Sequence, residues 1–208
     1  MQTRAYYDAE PRYLREKKQD WYLQMEKTNE AMRESLKEYA TKRSVLEIGC
    51  GGGWLAEYLL KMGVKTYSGF DFSETAVKNT RSRLAAFEDA KIWRGDALNP
   101  QYYTKKYGCL VAHQFLQCLV GADRTKWLTN CRASVKSDGI LLISTVVGTP
   151  NVADDPINPE TKMNKSGTIY YATEEEVKAE IHAAGFEIEE ILHPEENVAI
   201  FAAGPLIS

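Results

Sequence analysis

Residues 45–56 read VLEIGCGGGWLA, a short apolar strand that runs into a glycine cluster and straight on into an amphipathic stretch. Glycine lacks a Cβ, so such a turn lets the backbone approach a ligand, and the helix behind it offers amide donors at a positive dipole end. The favoured ligand is nucleotide-like. Two frames fit the same turn: Gly51, Gly53 and Ala56 satisfy the GxGxxA dinucleotide pattern, and Glu47, Gly49, Gly51 and Gly53 satisfy ExGxGxG. Glu47 tips the balance, because an acid at the strand end repels a pyrophosphate and attracts the amino group of a cationic amino-acid ligand. The glycines alone leave a nicotinamide-dependent oxidoreductase open.

Outward from this turn, short β-branched or apolar runs alternate with amphipathic stretches, the pattern of βαβ units around a parallel sheet. Strands are expected at SVLEI (44–48), KTYSGF (65–70), AKIWR (90–94), GCLVA (108–112) and GILLIST (139–145). The first helix, WLAEYLLKMG, is expected to stop at Gly63, and Ser73 is placed to cap the second, TAVKNTRSRLAAF. Near the end, GFEIEEIL and NVAIFAA are separated by HPEE, too short for a parallel crossover, so an antiparallel hairpin is expected. The class is α/β, with a mostly parallel sheet and helices on both faces.

Trp21, Met25, Met32, Leu36 and Tyr39 recur at helical spacing, which predicts a helical extension or lid over residues 1–40 ahead of a domain over 41–208. The stretch 146–172, VVGTPNVADDPINPETKMNKSGTIYYA, is longer than a plain connection requires and is a candidate substrate loop.

A chain of 208 residues buries about 70% of the surface of its unfolded form and requires no metal or disulfide staple. The polar N-terminus and the lack of a long apolar run predict a cytoplasmic protein that crosses no membrane. Cys50, Cys109, Cys118 and Cys131 form no CxxC pair, so free thiols and no metal site are expected. A net charge of −3 provides no long-range attraction for a phosphate backbone, and Arg12, Arg15, Lys17 and Lys18 read as a solvated helix face. Nucleic acid is therefore not an expected partner. Oligomeric state has no signature here.

The turn at 45–56 resembles motif I of class I S-adenosylmethionine-dependent methyltransferases, and the resemblance extends over nearly all of residues 40–203. It implies a Rossmann-like sheet of seven strands whose last strand is antiparallel, with S-adenosylmethionine as cofactor. It places Glu47, Gly49, Cys50, Gly51 and Gly53 against the methionine part of that cofactor. Asp71, which closes the second strand 18 residues beyond Gly53, is implied to accept from both ribose hydroxyls, with Phe72 or Ser73 beside the adenine. RGDAL (94–98) is similar to the family's adenine-reading motif, which gives Asp96 the adenine amino group and the Ala97 amide the ring. Asp96 also suits a plain helix N-cap.

The fourth strand delivers His113, Gln114 and Gln117 to the carboxyl edge of the sheet, where doubly wound folds bind ligands. His113 is a candidate cofactor contact and general base, since methyl transfer to a hydroxyl requires a proton to leave; a structural hydrogen-bonding role suits it equally. Relatives often carry an acidic or polar residue early in this strand, where this chain has Gly108, so the match is looser here. Gln114, Tyr6, Tyr7 and Tyr170 are candidate substrate contacts, and with Tyr171 the tyrosines either face the sulfonium or pack a lid onto the domain.

Absences narrow the acceptor. The stretch after the fourth strand, AHQFL, lacks the (D/N)PP(Y/F) pattern of exocyclic-amine nucleic-acid methylases and a Pro-Cys nucleophile. It also lacks the paired glutamates of protein-arginine enzymes, and no acidic metal cluster of the catechol type is found. The expected function is methyl transfer to an O, N or S nucleophile of a small molecule. An NAD(P)-dependent oxidoreductase and a non-catalytic adenosylmethionine-binding module are the competing readings.

Overall fold

The structure, a computed structural model, describes residues 25–148, 156–165 and 167–206. Tyr6, Tyr7, Trp21 and the basic residues Arg12, Arg15, Lys17 and Lys18 lie outside them. In chain order the elements are α1 (Glu26–Tyr39), β1 (Ser44–Ile48), α2 (Trp54–Met62), β2 (Thr66–Asp71), α3 (Glu74–Arg83) and β3 (Lys91–Arg94). They continue with β4 (Tyr107–His113), α4 (Ala122–Ser134), β5 (Val135–Val146), α5 (Glu174–Ala183), β6 (Phe186–Glu195) and β7 (Val198–Pro205).

One sheet of seven strands has the order β3-β2-β1-β4-β5-β7-β6. Strand β7 runs antiparallel to both β5 and β6 and closes the expected hairpin; every other neighbouring pair is parallel. Side chains alternate across each strand. Leu46, Ile48, Leu110, Ala112, Leu141 and Ile143 pack on one face with Trp127 and Leu128 of α4 and Val177 and Ile181 of α5. Val45, Cys109, Val111 and Leu142 pack on the other with Met32 and Leu36 of α1 and Leu55, Ala56 and Leu59 of α2. Each fully buried Leu or Ile contributes about 1.5–3 kcal/mol, and the central strands carry such residues on both faces because helices cover both.

Gly63 ends α2 in the left-handed region at φ +83°, and the Ser73 hydroxyl accepts from the Ala76 amide to cap α3. Three boundaries differ from the sequence reading by three residues or more. In one, β6 runs on through His193, Pro194 and Glu195, which pairs with Val198, so the turn falls at Glu196 and Asn197 and not across HPEE. Helix α3 stops at Arg83, four residues before Phe87, and the chain turns there through a Phe87 amide to Leu84 carbonyl bond. Strand β5 begins at Val135 directly after α4, because Tyr107 pairs with Val135 ahead of an irregularity that restores register at Cys109 and Ile140.

The strand order reverses between β1 and β4, which leaves a crevice beyond their carboxyl ends. The glycine turn follows β1 and His113 closes β4, so both arrive at that crevice. Part of the 146–172 segment is pinned beside it: the Gly148 amide donates to the Ala172 carbonyl and the Tyr170 amide to the Gln117 carbonyl, each at 2.8 Å. The described portions fold on themselves through bridges Ile157–Asn164 and Met163–Tyr170.

Candidate functional site

Three of the turn's glycines are left-handed, with φ of +75° at Gly49, +51° at Gly51 and +79° at Gly53, a region that L side chains enter only at a cost. The space around them differs. A Cβ on Gly49 would lie 2.7 Å from the Phe115 ring, and one on Gly53 would lie 3.0 Å from the Thr80 methyl. A Cβ on Gly51 would meet nothing within 4 Å. Gly49 and Gly53 are thus small for packing, whereas Gly51 borders an open cradle that a side chain would fill.

The turn is braced from two sides. The Gly49 and Cys50 amides both donate to the Phe70 carbonyl, at 2.9 and 3.1 Å, which fixes the turn to the end of β2. From α3, the Thr80 hydroxyl donates to the Gly51 carbonyl at 2.7 Å and Arg83 Nε to the Gly52 carbonyl at 2.8 Å. The Arg83 guanidinium also stacks 3.4 Å from the centroid of the Trp54 ring, at the start of α2. Thr80 and Arg83 carry no motif signature, and sequence reasoning passed over both.

Asp71 joins the turn to β2. Its Oδ2 accepts from the Gly51 amide at 3.0 Å and its Oδ1 from the Ser73 amide at 2.8 Å. Burial raises its pKa while these amides oppose the rise. A carboxylate oxygen accepts two hydrogen bonds, so each retains capacity for a hydroxyl. Glu47 is enclosed on the same side, 3% exposed, and Tyr67 donates its hydroxyl to Oε2 at 2.6 Å. Burial first, with Asp71 adding repulsion, pushes the Glu47 carboxyl up to about 8.

After β3, Asp96 Oδ1 accepts from the Leu98 amide at 2.9 Å, and the Ala97 carbonyl accepts from the Tyr103 hydroxyl and Asn130 Nδ2 at 2.9 and 3.1 Å. Phe70 anchors a cluster of rings there, with Trp93, Tyr102 and Tyr103 at centroid distances of 5.7, 6.3 and 5.6 Å. Phe72 is half-buried, with the Arg94 guanidinium 5.7 Å from its centroid.

At the end of β4, His113 faces the α1 side of the sheet, where its Nε2 lies 2.9 Å from Asn29 Oδ1. Burial, aided by Arg33, depresses the imidazole to about 4, so it is neutral at ordinary pH. Gln114 follows in the left-handed region at φ +54°, the kind of backbone strain that gathers at functional sites. A directed chain of hydrogen bonds runs through it: Thr145 Oγ1 donates to Gln117 Oε1, Gln117 Nε2 to Gln114 Oε1, and Gln114 Nε2 to Ser144 Oγ, at 3.0, 2.7 and 2.8 Å. Since the Tyr170 amide donates to the Gln117 carbonyl, Gln114 and Tyr170 meet through Gln117. Arg124, its side chain 2% exposed, lies 5.2 Å from the Tyr170 ring and forms a bidentate pair with Glu180.

Among the described residues, no three His, Cys, Asp or Glu side chains are grouped to hold a metal ion, and no helix is long and apolar enough to cross a membrane.

Residues 46–141 match the family described as Methyltransferase domain. Over 159 residues the chain is 30% identical to the ribosomal protein L11 methyltransferase of Agathobacter rectalis, an alignment that covers 76% of this chain and 43% of that protein. Over 112 residues it is 29% identical to the ubiquinone biosynthesis O-methyltransferase of Histophilus somni, covering 51% of this chain and 46% of that protein. The alignments thus span less than half the length of these relatives. The CcbJ methyltransferase of Streptomyces caelestis shares the fold with a TM-score of 0.70 at 18% identity, over 87% of this chain and 90% of that one.

Proposed function

We propose that the chain is a class I S-adenosylmethionine-dependent methyltransferase, a reading supported by its matching domain and sheet order, and that it methylates an O, N or S nucleophile of a small molecule. The observation that carries the proposal is the open side of Gly51, flanked by the buried acid Glu47 and the half-buried acid Asp71. A dinucleotide pyrophosphate against the turn would face the Glu47 carboxyl, whereas an ammonium-bearing nucleoside is matched by it; Asp71 suits the ribose of either.

The bound cofactor supplies a methyl carbon already made electrophilic by its sulfonium, so the protein's contribution is position and exclusion of water. In this proposal Gly49, Cys50, Gly51 and Gly53 line the methionine half and Glu47 faces its ammonium. Asp71 accepts from the ribose, and Phe72, Asp96 and Ala97 border the adenine. His113 borders the sulfur from β4. Gln114, Tyr170, Tyr6 and Tyr7 contact the acceptor; the last two lie outside the described residues. Residues 1–40 act as a cover on the domain 41–208, a reading supported by the Asn29–His113 contact.

His113 is the candidate base. Its depression to about 4 makes it a weak one, which favours acceptors that ionise easily or carry a neutral amine or thiol. The nicotinamide reading gains no support: such an oxidoreductase needs a catalytic Tyr/Lys pair, and the nearby spacing, Tyr102 or Tyr103 to Lys106, precedes β4, with the Tyr103 hydroxyl donated to the Ala97 carbonyl. A protein side chain is the second acceptor class, favoured by the longer alignment to the L11 enzyme.

The test is titration calorimetry with S-adenosylmethionine, S-adenosylhomocysteine and NAD, followed by transfer of labelled methyl to panels of small molecules and proteins. Affinity for the adenosyl ligands and label in the small-molecule fraction are expected. Affinity for NAD alone refutes the proposal, label in protein moves it to the second class, and binding without transfer leaves a cofactor-binding module.

A further inference from the structure

Glu47 is built into a pocket that treats it as a neutral acid until a cation arrives. Among the described residues, its one hydrogen-bond donor is Tyr67, at 2.6 Å, and no Lys, Arg or His pairs with it. Its neighbours in register are Gly69 on β2 and Val111 on β4, neither of which supplies a charge. The titratable groups that face it are Tyr67 and Asp71 from β2 and Cys50 from the turn. Burial keeps the tyrosine and the thiol protonated, and Asp71 can only repel. The pocket is shaped for the pair: a Cβ on Gly69 would lie 2.5 Å from the Tyr67 hydroxyl, so glycine at this position is what lets that hydroxyl reach across to Glu47.

An enclosed carboxylate with one donor and no counter-ion is expensive, and holding a proton removes that cost. An ammonium placed beside it reverses the preference. We infer that binding of an adenosyl amino acid at the Gly51 cradle is coupled to release of one proton from Glu47, which makes the site selective for nucleosides that carry an ammonium. The carboxyl O–H bond breaks heterolytically, the proton passes to solvent, and no oxidation or reduction is involved. The inference rests on the cofactor reading above and adds a charge-exchange step to it.

Linkage fixes the sign. Below the range in which Glu47 titrates, affinity for the ammonium-bearing ligand rises about tenfold per pH unit, and above it the affinity levels off. A neutral nucleoside shows no such slope from Glu47.

The experiment is calorimetric titration of the full chain with S-adenosylhomocysteine between pH 6 and 9, in paired buffers of different ionisation enthalpy. The control ligand, 5′-methylthioadenosine, has the same adenine, ribose and thioether but no amino acid. Near pH 7, release approaching one proton is expected with S-adenosylhomocysteine and release near zero with the control. Glu47→Gln, checked for folding by circular dichroism, should lose both the release and the slope. Tyr67→Phe, which removes a donor to the carboxylate, should extend the release to higher pH. Tight binding of S-adenosylhomocysteine with no buffer dependence in the wild-type protein overturns the inference and leaves the cofactor reading intact. No binding of any adenosyl ligand overturns both, and the wild-type measurement decides even if the variants do not fold.

Discussion

The Thr80 hydroxyl donates to the Gly51 carbonyl across 2.7 Å and so fastens α3 to the crest of the glycine turn. Thr80 is fully buried and its methyl also fills the space against Gly53, so one side chain holds the turn by both shape and hydrogen bond. Thr80→Val keeps the shape and removes the bond, leaving the Gly51 carbonyl without that donor. We expect a loss of about 1–2 kcal/mol in stability and an S-adenosylhomocysteine affinity weakened about 5- to 30-fold, measured by thermal melting and calorimetry. Unchanged affinity would show that the turn keeps its shape without α3.

Gly49 and Gly51 are expected to fail in different ways. At Gly51 a side chain meets nothing within 4 Å, so Gly51→Val clashes with nothing, costs about 1–3 kcal/mol in stability from its left-handed φ, and loses adenosyl-ligand affinity by more than about 100-fold. At Gly49 the added Cβ lies 2.7 Å from the Phe115 ring, so Gly49→Ala is expected to lower the melting temperature before any ligand is added. Melting curves and binding isotherms on both variants check this. Full affinity in Gly51→Val would remove the ligand from the cradle.

Asp71 stands in both the fold and the proposed site, since its two oxygens already hold the Gly51 and Ser73 amides. Asp71→Asn keeps an acceptor oxygen but offers an amide donor in place of the second. It is expected to weaken S-adenosylmethionine and S-adenosylhomocysteine by the same factor, about 10- to 100-fold, because the ribose is common to both. Competition binding with the two ligands checks the ratio. A selective loss of one would place Asp71 near the sulfur and away from the ribose.

The parts of the molecule legible in the sequence were those written locally. β1 spans 44–48 as read, and Gly63 and Ser73 punctuate the helices, because strand runs and caps are matters of a few adjacent residues. The polar stretch Lys136, Ser137 and Asp138 concealed the start of β5, which is set by pairing of Val135 with Tyr107. The same distinction separates the site. The glycine turn, Glu47, Asp71 and Asp96 lie inside motifs, whereas Thr80, Arg83, Asn29 and Arg124 act on partners 29, 31, 84 and 56 residues away. No local pattern announces such contacts.

His113 and Glu47 titrate in opposite senses and should shape the stability of the ligand-free protein from opposite ends. Burial lowers His113 to about 4 from the usual 6.5, so its contribution is complete above pH 6.5 and is lost as pH falls towards 4. Burial raises Glu47 to about 8 from 4.5, so its contribution is complete below pH 4.5 and is lost as pH rises through 8. Thermal melting of His113→Gln, Glu47→Gln and the wild type from pH 4 to 9 separates the two. The difference between wild type and His113→Gln should shrink by on the order of 3 kcal/mol as pH drops from 6.5 to 4, several degrees in melting temperature. The difference between wild type and Glu47→Gln should shrink in the opposite direction, between pH 4.5 and 8. A His113→Gln curve parallel to wild type across the acid limb would mean that the imidazole is hydrated and ordinary. In that case its weakness as a base, and the preference for an easily ionised acceptor argued from it, would no longer hold.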